Sequence, residues 1–309
     1  MSTSRCLICN RQVLVSLGFF LQLPASKAAA RGDPPTRLGL GAVERHARAL
    51  GRRRQTSPCP ASPTWAELCY KHAGTWGSGD KCTGHEPFAK QSVIDQGPFH
   101  IGHFYEDFYP QFVDPLRCLE DLAFLEIGIA SGYSLRMWRE YFTGNMTLHF
   151  ADVSQPTLAH QLPGTKVWIA DATKETALKK IAAQTPKGAF DLIVDDGSHS
   201  PRDVRATFML AFPMLRPGGI LAIEDLNTGY LHGRAQKVLP LSGSGVNTAQ
   251  ANRGSHVDMI KAFIDTLNRM DFDANYTAGV DKIDHMIGSV FCTEEACAIR
   301  KKLPAFGHK

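Results

Sequence analysis

Leu122-Ala123-Phe124-Leu125-Glu126-Ile127-Gly128-Ile129-Ala130-Ser131-Gly132 sets the reading of the whole chain. An apolar run of strand length stops at a glycine turn. A helical pattern follows from Ser134 to Tyr141, with Leu135 and Trp138 on one face. Moving outward, the alternation repeats. Met146–Ala151 predicts a second strand ending at Asp152, and Val167–Ala170 a third ending at Asp171. Glu175–Ala183 predicts a helix, and Phe190–Val194 a fourth strand that ends at Asp195-Asp196-Gly197. Val204–Leu215 predicts a helix halted by Arg216-Pro217-Gly218-Gly219, a stop-and-turn signal. Ile220–Ile223 predicts a fifth strand, ending at Glu224-Asp225. Strands separated by helix-length segments imply right-handed βαβ units. The expected fold is therefore α/β, with a mostly parallel, doubly wound sheet. Its ligand crevice should lie beyond the strands' C-terminal ends.

Beyond this core the signals weaken. Residues 231–255, centred on Ser242-Gly243-Ser244-Gly245, read as a long loop, either a lid or an insertion. His256–Met270 predicts an amphipathic helix with Ile260, Phe263, Ile264 and Leu267 on one face, and 283–300 should close the sheet around Ile287–Phe291. Residues 64–119 are expected to form an N-terminal cap or substrate region ahead of a domain at 120–303.

The chain has 309 residues and a net charge of +4, but the charge is unevenly placed. Residues 1–60 hold ten Lys/Arg and two Asp/Glu, which leaves the body slightly acidic. That distribution argues against a nucleic-acid-binding body. No apolar run is long enough for a membrane span. Arg5 and Arg11 precede the apolar stretch Val13–Leu23, and Ala28-Ala29-Ala30 follows. The pattern reads as a signal or targeting segment over 1–30, pointing to the secretory pathway or an organelle, with an apolar N-terminal helix as the plain alternative. Residues 31–63 read as a basic, flexible linker. Cys6 and Cys9 form a lone C-x-x-C without a second ligand pair. The other six cysteines, Cys59, Cys69, Cys82, Cys118, Cys292 and Cys297, are an even set that permits disulfides. Cys118 reads equally well as a buried thiol.

Three polar signals sit at successive strand ends. Gly128 and Gly132 allow close backbone approach in the first turn. Asp152 is placed to accept from ribose hydroxyls, and Asp171 from an adenine amino group. With Ala130 in the middle position the dinucleotide fingerprint is incomplete, so no phosphate cradle is expected. A ribose acid plus an adenine acid suits a nucleoside without phosphate, and S-adenosylmethionine is such a ligand. At the next rim, Asp196, Glu224 and Asp225 present three carboxylates and no thiol. This suits a hard cation, Mg2+ before Zn2+. The plain alternative is that these acids only cap helices. His199, three residues past Asp196, is placed to act as a base near neutral pH.

The order E-x-G-x-x-x-G, D, D-A, D-D-G-S-H, L-R-P-G-G, I-E-D resembles class I S-adenosylmethionine-dependent methyltransferases. Leu125–Gly128, Asp195–His199 and Ile223–Tyr230 resemble more narrowly the metal-dependent sugar O-methyltransferases of macrolide biosynthesis, the mycinamicin type. Gly77-Ser78-Gly79-Asp80-Lys81 resembles a Gly-Thr-Asp-Lys segment of that family, with His85, Tyr105 and Tyr109 nearby, and Ile283–Phe291 its late strand. The chain departs from the pattern at Asp203, where the family often carries His, and by an insertion around 86–102 that includes His100 and precedes His103. The resemblance implies a Rossmann-like class I methyltransferase fold with an antiparallel closing strand. It implies S-adenosylmethionine held by Glu126, Gly128, Gly132, Ser134, Asp152, Asp171 and Asp195. It also implies Mg2+ on Asp196, Glu224 and Asp225, and catalysis by His199 with Asp196. The implied acceptor is a hydroxyl of a sugar or other vicinal diol, and a homo-oligomer stays open. Two other readings remain: a catalytically silent S-adenosylmethionine-binding or partner-binding protein, and a nicotinamide-dependent oxidoreductase. Trp65, Trp76, Phe104, Tyr105, Tyr109 and Tyr230 are candidates to stack on an acceptor ring, or simply core.

Overall fold

A computed structural model describes residues 63–72, 81, 103, 105–144, 146–232, 237–238, 255–269 and 281–304. All of them belong to the compact unit Arg48–Lys309. The 1–30 segment, the 31–63 linker except Pro63, the Cys6/Cys9 pair, Cys59, Trp76, Gly77–Asp80, Cys82, His85, His100 and Phe104 lie outside the described residues.

Seven strands make one sheet. β1 is Phe124–Ile127, β2 Leu148–Asp152, β3 Thr165–Ile169, β4 Phe190–Asp195 and β5 Leu215–Ile223. A two-stranded hairpin, β6 Leu231–His232 and β7 Lys237–Val238, lies in the expected 231–255 loop, whose other residues are outside the description. β8 (Ile287–Cys292) and β9 (Cys297–Lys301) complete the order β3-β2-β1-β4-β5-β9-β8. The first five strands pair in parallel, and β9 alone runs against the rest. The mostly parallel fold with one antiparallel closing strand is the one expected from the sequence.

The strand order reverses between β1 and β4, because β1 leads outward to β2 while β4 begins the other half. Helices cannot cover that divide, so a crevice opens at the strand ends there. Period-two alternation decides what each face receives. Phe124, Leu192, Val194 and Ala222 face a layer made by α1 (Trp65–His72), two short helical turns at Tyr105–Phe108 and Pro110–Val113, and α2 (Tyr133–Tyr141). Leu125, Ile193, Leu221 and Ile223 face α3 (Glu175–Ala182), α4 (Pro201–Ala211) and α5 (His256–Arg269).

Local chemistry fixes the helix starts. At α1, Thr64 Oγ1 accepts from the Glu67 N–H at 3.2 Å while Glu67 Oε2 accepts from the Thr64 N–H at 2.7 Å, a reciprocal capping box. At α4, Ser200 Oγ accepts from the Asp203 N–H and Pro201 opens the first turn. Lys71 and His72 of α1 then grip Glu140 of α2 at 2.5 and 2.8 Å.

The described part of 64–119 packs on the sheet, where Trp65, Tyr105, Phe108 and Tyr109 share one core with Phe124 and Trp138. Three expectations need correction. Arg216-Pro217-Gly218-Gly219 does not separate helix from strand. It lies inside β5 as an irregularity, with Phe190 opposite Leu215 and Leu192 already opposite Ile220. Gly218, at φ +78°, makes that detour possible without ending the strand. Ile264 points outward at 52% exposure, while Ile260 and Phe263 are buried. Cys118 is not a thiol: it is disulfide-bonded, as are Cys69 and the pair Cys292–Cys297.

Candidate functional site

Gly128 forms the floor of the crevice. Its φ is +84°, and a Cβ there would fall 1.9 Å from the Asp196 carbonyl oxygen. Only glycine lets the β1 turn lie against the end of β4. The turn divides the crevice into two cavities, of about 400 Å³ and about 350 Å³, both lined by Gly128, Asp152 and Gly197. The larger runs past Val153, Asp171 and Asp195. The smaller runs past Lys81, Ser131, Ser134, Asp196 and His199.

In the larger cavity two of the acids are held by backbone and hydroxyl donors. Asp152 accepts from the Ile129 N–H at 3.0 Å and the Ser154 N–H at 2.7 Å, which ties the ends of β1 and β2 together. Asp171 Oδ1 accepts from the Thr173 hydroxyl and N–H, at 2.6 and 2.9 Å, and these bonds hold its carboxyl below the usual range. Asp195 differs. It is buried, its Oδ2 has no hydrogen-bond partner among the described residues, and burial pushes it up to about 7 against the pull of the Gly197 N–H. A buried oxygen without a donor, on a cavity wall, marks a place for a ligand N–H or O–H.

The smaller cavity borders a buried charge network. Glu126 and Glu224 fall on the aromatic face of the sheet by strand parity, below the rim. There Lys81 Nζ lies 2.6 Å from both Glu224 oxygens, 2.8 Å from Asp196 Oδ2 and 3.6 Å from Glu126 Oε1. The Tyr109 hydroxyl also donates to Glu224. Glu126 accepts from Ser134 Oγ at 2.9 Å and Trp138 Nε1 at 3.1 Å. Burial, and then the Asp196 charge, push Glu224 well above the carboxylate range against the pull of Lys81. Burial likewise lifts Glu126 to about 7. One ammonium thus serves three carboxylates, as a low-dielectric site requires.

The next residue along, Asp225, turns the other way. Its φ is +55°, and that of His199 is +53°, both in the left-handed region. His199 Nε2 lies 3.2 Å from Asp225 Oδ2 and 3.9 Å from Asp196 Oδ1. The Thr228 hydroxyl donates to the His199 carbonyl at 2.8 Å and fixes that loop. Asp196, His199 and Asp225 thereby offer ligand atoms within 4.8 Å of one another, on a partly open rim. Two hard carboxylate oxygens, open to solvent on one side, fit a divalent cation, and the imidazole stands beside them.

The structure thus brings Asp196, His199 and Asp225 together on the rim, and it places Glu224 beneath them, sharing the Lys81 ammonium with Asp196 and accepting from Tyr109. Gly128, Ser134, Asp152, Asp171 and Asp195 line the crevice. Glu126 and Gly132 line neither cavity: Glu126 holds the α2 helix, and a Cβ at Gly132 would meet His160 at 2.5 Å. Tyr105 and Tyr109 are buried rather than available for stacking, yet their hydroxyls reach Asp225 and Glu224. Of the other stacking candidates, Trp65 is core, and the side chain of Tyr230 lies outside the description. Sequence reasoning missed the role of Lys81, although its segment stood out, and gave no role to His103 or to Glu295 in the β8–β9 turn. Nothing in their sequence spacing marks them.

A Rossmann-like sheet with this crevice is the architecture of class I methyltransferases, and residues 125–226 match the family model described as a methyltransferase domain. The curated relatives that the chain matches here are named as O-methyltransferases. The chain is 34% identical over 137 residues to 8-demethyl-8-alpha-L-rhamnosyl tetracenomycin-C 2'-O-methyltransferase of Streptomyces olivaceus, covering 41% of this chain and 34% of that one. It is 27% identical over 196 residues to mycinamicin VI 2''-O-methyltransferase of Micromonospora griseorubida, covering 61% and 46%. Among solved structures, the MycE methyltransferase from the mycinamycin biosynthetic pathway, in complex with Mg, SAH and mycinamycin VI, superposes with a TM-score of 0.58 at 23% identity. That match covers 80% of this chain and 55% of that one. The chain therefore spans less than half the length of the two curated relatives it matches here, and the structural likeness concerns the fold.

Proposed function

We propose that the protein is an S-adenosylmethionine-dependent O-methyltransferase that uses Mg2+ and methylates a hydroxyl of a sugar-bearing small molecule. The observation that carries this reading is the junction of the two cavities at Gly128. A nucleoside-sized space with Asp152 and Asp171 opens there onto a rim bearing Asp196, His199 and Asp225. The names of the curated relatives supply the acceptor class, and the reading extends them to this chain.

When bound, S-adenosylmethionine brings an activated sulfonium methyl, and a divalent cation brings a Lewis acid. The residues of the chain do the rest. Asp152 accepts from ribose hydroxyls, and Asp171 and Asp195 accept from N–H groups of the ligand. Asp196 and Asp225 would hold the cation, with Glu224 as the third carboxylate beside Asp196. With the Nε2–H of His199 donated to Asp225, Nδ1 carries the lone pair that takes the acceptor's proton. Asp225 and Asp196 then stabilise the imidazolium that forms, as a carboxylate does for any such base. The arrangement orients acceptor and base before the methyl moves, which lowers the entropic part of the barrier.

The test is transfer of labelled methyl from S-adenosylmethionine to a panel of glycosides and catechols, with and without EDTA. Turnover that EDTA abolishes and Mg2+ restores supports the reading. Undiminished turnover in EDTA removes the cation, and labelling of no hydroxyl compound removes the reaction.

We also infer an oxidising compartment. All four described cysteines are disulfide-bonded, which suits the signal-like reading of residues 1–30. Thiol titration of protein isolated from its native source should find those four cysteines unreactive before reduction. Free thiols at Cys292 and Cys297 would count against it.

A further inference from the structure

Behind the rim, on the side away from His199, Asp225 meets a second set of groups that the proposed reaction does not use. His103 Nε2 lies 3.5 Å from Asp225 Oδ1, and the Tyr105 hydroxyl donates to the same oxygen at 3.2 Å. The other ring nitrogen of His103 is hydrogen-bonded to Glu295 Oε2. Glu295 Oε1 accepts from the Asn227 side-chain amide at 2.9 Å, and the Glu295 carbonyl accepts from the Leu226 N–H at 2.8 Å. One residue of the β8–β9 turn thus holds the strand-end loop at Leu226 and Asn227, and reaches Asp225 through His103. The turn is itself fastened at its base by the Cys292–Cys297 disulfide, and β9 pairs Cys297 with Ile223, two residues before Asp225.

We propose that Glu295 is a positioning residue for the active-site rim: through His103 and Asn227 it sets the direction in which Asp225 presents its outer oxygen to His199 and to the cation. The proposal deepens the methyltransferase reading above and rests on it for the cation. The physical reason is geometric. Asp225 stands in a left-handed backbone conformation at the end of a strand, where nothing in the sheet ladder orients its side chain. An imidazole between two carboxylates orients both, and Glu295 anchors its far end from a covalently closed turn. Partners that orient a metal-ligating group typically contribute about ten- to a hundredfold to metal affinity.

Glu295→Ala tests this in the full chain, with Mn2+ as the probe. Mn2+ affinity, read by electron paramagnetic resonance, should fall by roughly tenfold or more. S-adenosylhomocysteine affinity, read by calorimetry, should stay within about twofold, since Glu295 lines neither cavity. The imidazole proton resonances of His199 should also move, although Glu295 does not touch that ring. Glu295→Gln should fall between wild type and Glu295→Ala, because a neutral amide can accept from only one of the two donors, Asn227 or His103. Unchanged Mn2+ affinity together with unmoved His199 resonances overturns the proposal. Equal losses of Mn2+ and S-adenosylhomocysteine binding also overturn it, since they mark general damage. If the wild type binds no Mn2+, the cation reading fails by itself, and the His199 resonances alone decide the role of Glu295.

Discussion

At the β2–β3 end of the crevice, Asp152 and Asp171 are held by backbone and hydroxyl donors, half open to solvent. Toward β4 and β5, Glu126, Glu224 and Asp196 converge on one buried ammonium. The donors at the first end lie two residues away or, for Ile129, twenty-three. The second joins Lys81 to residues 115 and 143 positions away. The difference is one of medium. Carboxylates half open to water are tuned by hydrogen bonds alone, whereas carboxylates buried beneath the rim need a charge partner, here one from far along the chain.

Substitutions at the two ends put this contrast to the test. His199→Ala, on the rim, should cut methyl transfer by about 10²–10⁴ in a single-turnover assay, the usual contribution of a general base. A wild-type rate would leave the β2–β3 end as the only functional one. Lys81→Met should lower stability by about 3–5 kcal/mol, because it strands buried carboxylates without a counter-charge. Urea denaturation measures this, and a loss no larger than that of an exposed lysine would mean the network is dispensable. Asp152→Ala should weaken S-adenosylhomocysteine binding by about 1.5–3 kcal/mol, roughly ten- to a hundredfold, as calorimetry reads it. Asp171→Asn should cost less, about 0.5–1.5 kcal/mol, since its side chain is 44% exposed and the amide oxygen can keep the Thr173 bonds.

The subtlest effect concerns pH. Asp195 sits at about 7 in the fold, against an ordinary value near 3.8. Between those values the folded state holds a proton that the unfolded chain has lost. Stability of the ligand-free protein should therefore fall as pH rises from about 4 to 7. Asp195→Asn should flatten that slope, as urea midpoints at the two pH values would report. An unchanged slope would assign the titration to another group, such as Glu126.

The same contrast explains what the sequence made legible. Strand runs ending in Gly128, Asp152, Asp171 and Asp195 announce the sheet because each signal is local: apolar period, then a polar stop. Glu224-Asp225 was legible as an acidic pair but not as two residues facing different media. That outcome depends on β5 parity and on a positive φ at Asp225. The Arg216–Gly219 stretch carried a true turn chemistry, but pairing with β4 on both sides of it absorbed the turn into the strand. Lys81, His103 and Glu295 were opaque because their importance comes only from tertiary closure, which no period encodes.

The left-handed backbone at His199 and Asp225 carries one more consequence. Side chains at such positions cost of order 1 kcal/mol that glycine would not. At Asp225 the contacts with Tyr105 and His103 offset that cost, and glycine would forfeit them. At His199, whose ring is more open, selection for heat tolerance alone would be drawn toward glycine and would harvest variants with a silent rim. Thermostability screens of this protein should therefore score ligand binding alongside.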